Sequence, residues 1–369
     1  MFGTDRYRKR AENLDETNER NSMRAAVFDA FRSPLHVREW EDLRPHDDGA
    51  ILQVRACGLC RSDWHAWMGH DSEIRLPHVP GHELAGTVLS VGSMVTRWKH
   101  GDRVTAPFCC GCGSCEECQR GNTHICDAHS QPGFTHWGAF AEQVEIRNAD
   151  TNLIALPETV DFISAASLGC RFATSFRALV DQARVRAGEW VAIHGCGGVG
   201  LSALMIAQAI GALTIAIDPN PERRTMATAL GATFALDPAH EDAVQRVRVI
   251  TGRGAQVSID ALGHHQTCWN SIDCLAKRGR HIQIGLMLGS QSNPPIPMSA
   301  VIARELEIYG SHGMQAIEYP RMLSWIASGA IAPGRLVSHT VSLAEGAKLL
   351  TEMDTYPHQG ITVIDMASG

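Results

Sequence analysis

The chain has 369 residues, 44% of them hydrophobic and 20% charged, with a formal net charge of −7. So much apolar sequence argues against a largely disordered chain, and the acidic balance against a general binder of nucleic acid or anionic membrane surfaces. The length predicts about two domains, and no apolar run approaches the roughly 20 residues that cross a bilayer.

Met1–Ser22 is rich in Arg, Glu, Asp and Asn and holds no apolar stretch, so it reads as a polar tail rather than a secretory leader. Met23 is a candidate start, and the expected location is cytoplasmic. From Met23 to about Asp161, short β-type runs alternate with Gly, Pro and Asn. Strands are expected at Arg24–Phe28, Ile51–Ala56, Ala85–Val91, Arg103–Ala106 and Ala141–Ile146, a texture that predicts a partly closed all-β unit. Near Glu189 the pattern becomes strand Trp190–His194, helix Leu201–Ile210, strand Leu213–Ile217 and helix Pro221–Leu230. Further strands are expected at Val257–Ile259, His281–Ile284 and Leu306–Tyr309, and the alternation predicts parallel βαβ units. After Tyr309 the pattern is mixed. The sequence therefore predicts a β-rich domain with a nucleotide-type α/β domain inserted in it.

Gly195-Cys196-Gly197-Gly198-Val199-Gly200 follows a predicted strand and opens a predicted helix, as a G-x-G-x-x-G pyrophosphate loop requires. Asp218 closes the next strand 18 residues beyond Gly200, where a carboxylate would hold the adenosine ribose. Such a carboxylate would repel a 2′-phosphate, so NAD is favoured over NADP. Arg223 and Arg224 lie near enough to soften that preference.

Six of the twelve cysteines fall between Cys109 and Cys126, a density that indicates metal binding rather than a disulfide framework. Cys112, Cys115, Cys118 and Cys126, separated by two, two and seven residues, suit a closed structural zinc site, and Cys109 or Cys110 could exchange into the set. Cys57, Cys60, His65, His82, Glu83 and Cys170 form a second, dispersed group that spacing alone does not join.

Taken together, Cys60–His65, Gly81-His82-Glu83, the four-cysteine lobe, Gly169-Cys170 and Gly195–Gly200 resemble, in order and context, the zinc-dependent medium-chain dehydrogenase/reductase family of alcohol dehydrogenase type. The resemblance runs from Met23 over nearly the whole chain. It implies a GroES-like β-rich catalytic domain over 23–171 and 308–369, with a zinc lobe at 109–126. It also implies a Rossmann doubly wound parallel-sheet domain over 172–307. Cys60, His82 and Cys170 look like catalytic zinc ligands, and Asp63 like the carboxylate that orients the ligand histidine. Glu83 resembles the acidic residue that approaches the metal, Ser62 and His65 the proton relay, and Arg61 a pyrophosphate contact. Thr174 and Val199 match residues beside the nicotinamide.

The implied activity is reversible hydride transfer between a small alcohol, primary and medium-chain or aromatic, and NAD, with two zinc ions per chain in a homo-oligomer, tetramer favoured over dimer. Three alternatives remain: an NADPH-preferring carbonyl reductase of the same fold, a non-catalytic zinc protein, and a redox sensor built on Cys109 and Cys110. The sequence departs from the family where Ile361, in Gly360-Ile361-Thr362, takes the place of an arginine that many relatives aim at the pyrophosphate. Trp67, Phe108, Trp137 and Leu286 are pocket candidates by resemblance.

Overall fold

The computed structural model describes residues 22–354 and 360–368. Of the predicted polar tail, residues 1–21 lie outside that range, and Ser22 already belongs to a strand. Strand β1 (Ser22–Val27) pairs antiparallel with β2 (His36–Glu41). β2 escapes prediction because its HVREWE sequence is almost wholly exposed and shows no apolar alternation.

A seven-stranded sheet forms the β-rich part. Five of its strands are β3 (Ala50–Leu59), β4 (Glu83–Val91), β5 (Arg103–Thr105), β6 (Gln143–Ile146) and β7 (Ile154–Ala155). All pairs among these are antiparallel, with β3 central between β4 and β6. Met23, Phe28, Leu52, Leu84 and Phe140 pack into its core.

The α/β part is a six-stranded, wholly parallel sheet. Its strands are β8 (Trp190–His194), β9 (Leu213–Ile217), β10 (Phe234–Leu236), β11 (Ala255–Asp260), β12 (Leu275–Gln283) and β13 (Glu307–Gly310). The spatial order β10-β9-β8-β11-β12-β13 is that of a Rossmann fold, with the order reversing between β8 and β11. Predicted and observed limits agree for β8 and β9, whose apolar runs are buried from both faces. β12 begins six residues before the predicted His281, because Lys277 and Arg278 give its first half the composition of a turn. The helix Gly198–Ile210 ends at Gly211, and Asn220 caps the next helix, Pro221–Ala229, by accepting from the N–H groups of Glu222 and Arg223.

The chain then returns to the first sheet through β14 (Val337–Val341) and β15 (Ile361–Asp365), the latter antiparallel to β3. A helical stretch unmarked in the sequence reading joins the two sheets from Phe162 to Gln182. It includes π-helical turns at Leu168–Phe172 and Ala178–Gln182.

Candidate active site

β3 ends at Leu59, and the next residue, Cys60, is the N-cap of the helix Arg61–Trp67. Asp63 sits in the first turn of that helix, wholly buried. One of its carboxylate oxygens accepts the Cys60 N–H at 3.0 Å, and the other accepts the Gly81 N–H at 3.0 Å. His82 Nδ1 lies 2.7 Å from that second oxygen. A carboxylate can only accept, so Nδ1 carries the proton and Nε2 is left with its lone pair.

Nε2 is buried and has no hydrogen-bond partner among the described residues. Gly81 brings the histidine in with φ of +109°, and a Cβ there would stand 2.7 Å from the Phe140 backbone nitrogen, so only glycine fits. Cys170 comes from the π-helical turn at Leu168–Phe172. The ligand atoms of Cys60, His82 and Cys170 lie within 4.8 Å of one another. Two thiols and an imidazole nitrogen with nothing else to bond form a donor set that fits zinc with one position open. A hydrogen bond from Cys170 is the main cause that holds the Cys60 thiol well below its ordinary pKa against the effect of burial; Arg171 and His82 add to it.

Around the triad, Phe134 and Phe108 stand edge-on to His82 at 5.4 and 6.1 Å between ring centres. The buried Tyr319 hydroxyl donates to the Gly169 carbonyl at 3.2 Å. Glu83 is buried and ion-paired with Arg171, which donates to it from its backbone N–H and from Nε, each at 3.1 Å, and from Nη2. Ser62 is half-buried, and the half-buried His65 has Nδ1 3.0 Å from that of exposed His70. Burial, with Arg61 and His70 adding their charge, pushes His65 down to about 4.

Arg61 stacks on Trp64 at 3.9 Å and pairs with Asp354. Of the other pocket candidates, Trp67 donates to the Ser33 carbonyl and Trp137 to that of Pro77, while Leu286 is half exposed.

The glycine loop runs from the end of β8 into the helix that starts at Gly198. A Cβ on Gly200 would lie 1.8 Å from the Gly195 carbonyl oxygen, so helix and strand can close only over glycine. Beside Gly197 there is open space, with nothing within 4 Å of an added Cβ. Thr174 is buried, with its carbonyl accepting from Ser311, and the Val199 carbonyl accepts from Ser175 at 3.0 Å. Asp218, buried at the end of β9, accepts the N–H groups of Cys196 and Asn220 at 2.8 Å each. Arg223 approaches its carboxylate to 3.8 Å. His194, Gly195, Asp218 and Arg223 line a cavity of about 110 Å³ at the point where the strand order reverses. This cradle fits a dinucleotide. A larger cavity of about 390 Å³ opens near the N-terminal ends of β8, β11 and β13, away from this chemistry, and its Arg184 and Arg280 are paired with Glu307 and Glu189.

Cys112, Cys115, Cys118 and Cys126 bring their sulfurs within 4.8 Å of one another. Backbone N–H groups of Ser114 and Cys115 point at the Cys112 sulfur, and those of Cys112 and Ala128 at the Cys126 sulfur. Cys109 and Cys110 stand outside this group and are buried, with burial pushing Cys109 up to about 12.

Residues 46–158 match the family described as the alcohol dehydrogenase GroES-like domain, and residues 198–328 that described as zinc-binding dehydrogenase. An alcohol dehydrogenase of Geobacillus stearothermophilus is 30% identical over 84% of this chain and 90% of its own length. The chain belongs to the zinc-dependent medium-chain alcohol dehydrogenase family. Two solved structures of this kind superpose closely. An alcohol dehydrogenase of Thermus sp. ATN1 has a TM-score of 0.86 and 30% identity, covering 93% of this chain and 99% of that one. A zinc-binding dehydrogenase of Sinorhizobium meliloti 1021, solved with NADP bound, has a TM-score of 0.85 and 26% identity, covering 94% and 100%.

As a zinc-dependent alcohol dehydrogenase type of oxidoreductase, the chain works on a small molecule with zinc and a nicotinamide cofactor. Among the described residues, no helix is long and apolar enough to cross a membrane. Arg171, Phe134 and Tyr319 belong to the site's surroundings but were not singled out in the sequence. Only Arg171, a charge inside an apolar helical stretch beside Cys170, carried a signal that could have marked it.

Proposed function

We propose that this dehydrogenase oxidises a primary alcohol, medium-chain or aromatic, with NAD as hydride acceptor, and reduces the matching aldehyde in the reverse direction. The observation that carries the reading is the Cys60/His82/Cys170 triad, with Cys60 and His82 buried and an imidazole nitrogen that has no hydrogen-bond partner among the described residues. Zinc held there, when bound, supplies Lewis acidity toward the substrate oxygen, and the nicotinamide accepts the hydride. A second zinc, held by Cys112, Cys115, Cys118 and Cys126, is structural.

In this reading Asp63 orients His82, and Ser62 passes the alcohol proton toward His65. His65, neutral because burial, Arg61 and His70 hold it near 4, relays the proton to exposed His70. Glu83 and Arg171 brace the metal end, while Thr174 and Val199 lie along the nicotinamide and Gly195, Gly197, Gly198 and Gly200 hold the pyrophosphate. Arg61 and Arg223 are cofactor contacts at its edges. The apolar faces of Phe108 and Phe134 beside His82 support the substrate class. The catalytic domain comprises 23–171 and 308–369, and the coenzyme domain 172–307. A homo-oligomer, expected as a tetramer, is supported by the apolar Met298, Ile302 and Ile308 exposed on or near edge strand β13.

The buried Asp218 carboxylate supports NAD. A second reading, with NADP, is favoured by Arg223 and Arg224 beside it and by the NADP-bound relative. Reduced-cofactor formation from NAD and NADP, followed across primary, secondary and aromatic alcohols, tests all of this. Wild type should prefer NAD, and Cys60→Ser should lose at least about a hundredfold in kcat/KM while keeping the four-cysteine zinc. Asp218→Gly should shift the NADP/NAD ratio upward by at least about tenfold. Full activity in Cys60→Ser would remove the triad from the chemistry, and an unchanged cofactor ratio would remove Asp218 from the ribose.

A further inference from the structure

Arg171 is nearly nine-tenths buried along its side chain and follows Cys170 in the π-helical turn. Glu83 occupies one edge of its guanidinium, through Nε and Nη2. Nη1 has no hydrogen-bond partner among the described residues. The same guanidinium presses on the glycine loop. A Cβ on Gly198 would lie 2.5 Å from Arg171 Cδ, 3.3 Å from Nη1 and 3.4 Å from Nε.

Gly198 is the first residue of the thirteen-residue helix Gly198–Ile210, whose leading N–H groups are unsatisfied within the helix. A cation at that end of a helix is opposed by the helix dipole, and a desolvated guanidinium is costly to keep there. Glu83 offsets part of that cost from one side. An anion docked on the helix N-terminus would offset the rest from the other, and would give Nη1 a partner.

Arg171 is the cation that lies against Gly198. Arg61 pairs with Asp354 and stacks on Trp64, and Ile361 is an apolar residue buried in β15. We propose that Arg171 is the pyrophosphate clamp of this dehydrogenase, reaching the dinucleotide from the metal side of the cleft with Glu83 as its brace. The proposal rests on the reading above that the loop binds a nicotinamide dinucleotide. The clamp contacts the pyrophosphate that NAD and NADP share, so it is independent of the choice between them. It also accounts for glycine at position 198, since any side chain there would displace the guanidinium.

The test is calorimetric titration of the zinc-loaded protein with NADH, NADPH, ADP-ribose and adenosine, the last lacking the pyrophosphate. Two variants are compared with wild type: Arg171→Lys, and the double variant Glu83→Gln/Arg171→Gln, which leaves no unpaired buried charge. In the double variant, ADP-ribose and NADH should bind about 10- to 100-fold more weakly, with adenosine unchanged within about twofold. Arg171→Lys keeps the charge but loses the fork, and should weaken ADP-ribose by about three- to tenfold. If the double variant does not fold, the lysine variant decides alone.

Unchanged ADP-ribose affinity in a folded variant overturns the clamp. Equal weakening of ADP-ribose and adenosine also overturns it, because it would show Arg171 to be only a structural brace. If wild type binds none of NADH, NADPH and ADP-ribose, the dinucleotide reading fails and takes the clamp with it.

Discussion

The Asp63 carboxylate accepts from two backbone N–H groups and one imidazole in a space closed to water, so it positions Cys60 and His82 together. An amide in its place would keep the size but present N–H₂ to donors on one side. Asp63→Asn is therefore expected to weaken the metal at the triad by about 10- to 100-fold and leave the four-cysteine metal untouched. Release of zinc to a colorimetric chelator, followed in time, measures both populations. A single slow release identical to wild type would mean that Asp63 does not orient the ligand. The sequence marked Asp63 only through family likeness. Two of its three hydrogen bonds come from Gly81 and His82, 18 and 19 positions away, which the pairing of β3 with β4 brings in.

At the scale of elements, the turn from β8 into the helix Gly198–Ile210 separates two kinds of glycine. Gly200 has a carbonyl oxygen 1.8 Å from where its Cβ would stand, whereas Gly197 faces open space. Gly200→Ala should force strand and helix apart, costing about 1–3 kcal/mol and lowering the melting temperature by several degrees. Gly197→Ala has an unstrained φ of −80° and should leave the melting temperature within about a degree. Its methyl group would nonetheless project into space that a pyrophosphate needs, so NADH affinity should fall by about tenfold or more. Thermal denaturation with and without NADH separates the two effects, and equal destabilisation by both changes would contradict this account of the loop. β8, its helix and β9 were legible in advance because the loop, the apolar runs and the closing Gly211 are contiguous. The helical stretch from Phe162 to Gln182 was not, since its two π-helical turns break the 3.6-residue periodicity.

Across the whole molecule, several histidines are buried in the uncharged form. Burial pushes His194 and His281, both in the parallel sheet, down to about 4, and does the same to His124 in the four-cysteine lobe with help from Arg177 and His312. The unfolded chain takes up these protons below about pH 6.5, the folded chain only near 4. Their contribution to stability is therefore complete above pH 6.5 and is lost as pH falls from there toward 4. The melting temperature should be level from pH 7 upward and drop by at least about 5 °C between pH 6.5 and 4.5. His281→Gln should shallow that drop, which loss of metal alone would not explain. A slope unaltered by His281→Gln would show that other groups govern the acid limit.

What the sequence determined by itself was local. The strand–glycine loop–helix unit, the acid at the end of the next strand and the four cysteines within fifteen residues are each fixed by spacing along one short stretch of chain. Tertiary structure alone decided the rest. It joined Cys60 and His82 to Cys170, which follows His82 by 88 positions, and it set Glu83 against Arg171 across an equal separation. It also returned β15 to the edge of β3. Such contacts depend on sheet register and on packing between two cores, which no local pattern encodes. Family likeness could anticipate the triad, but only the packed structure shows an arginine turned from a buried glutamate toward the mouth of a helix.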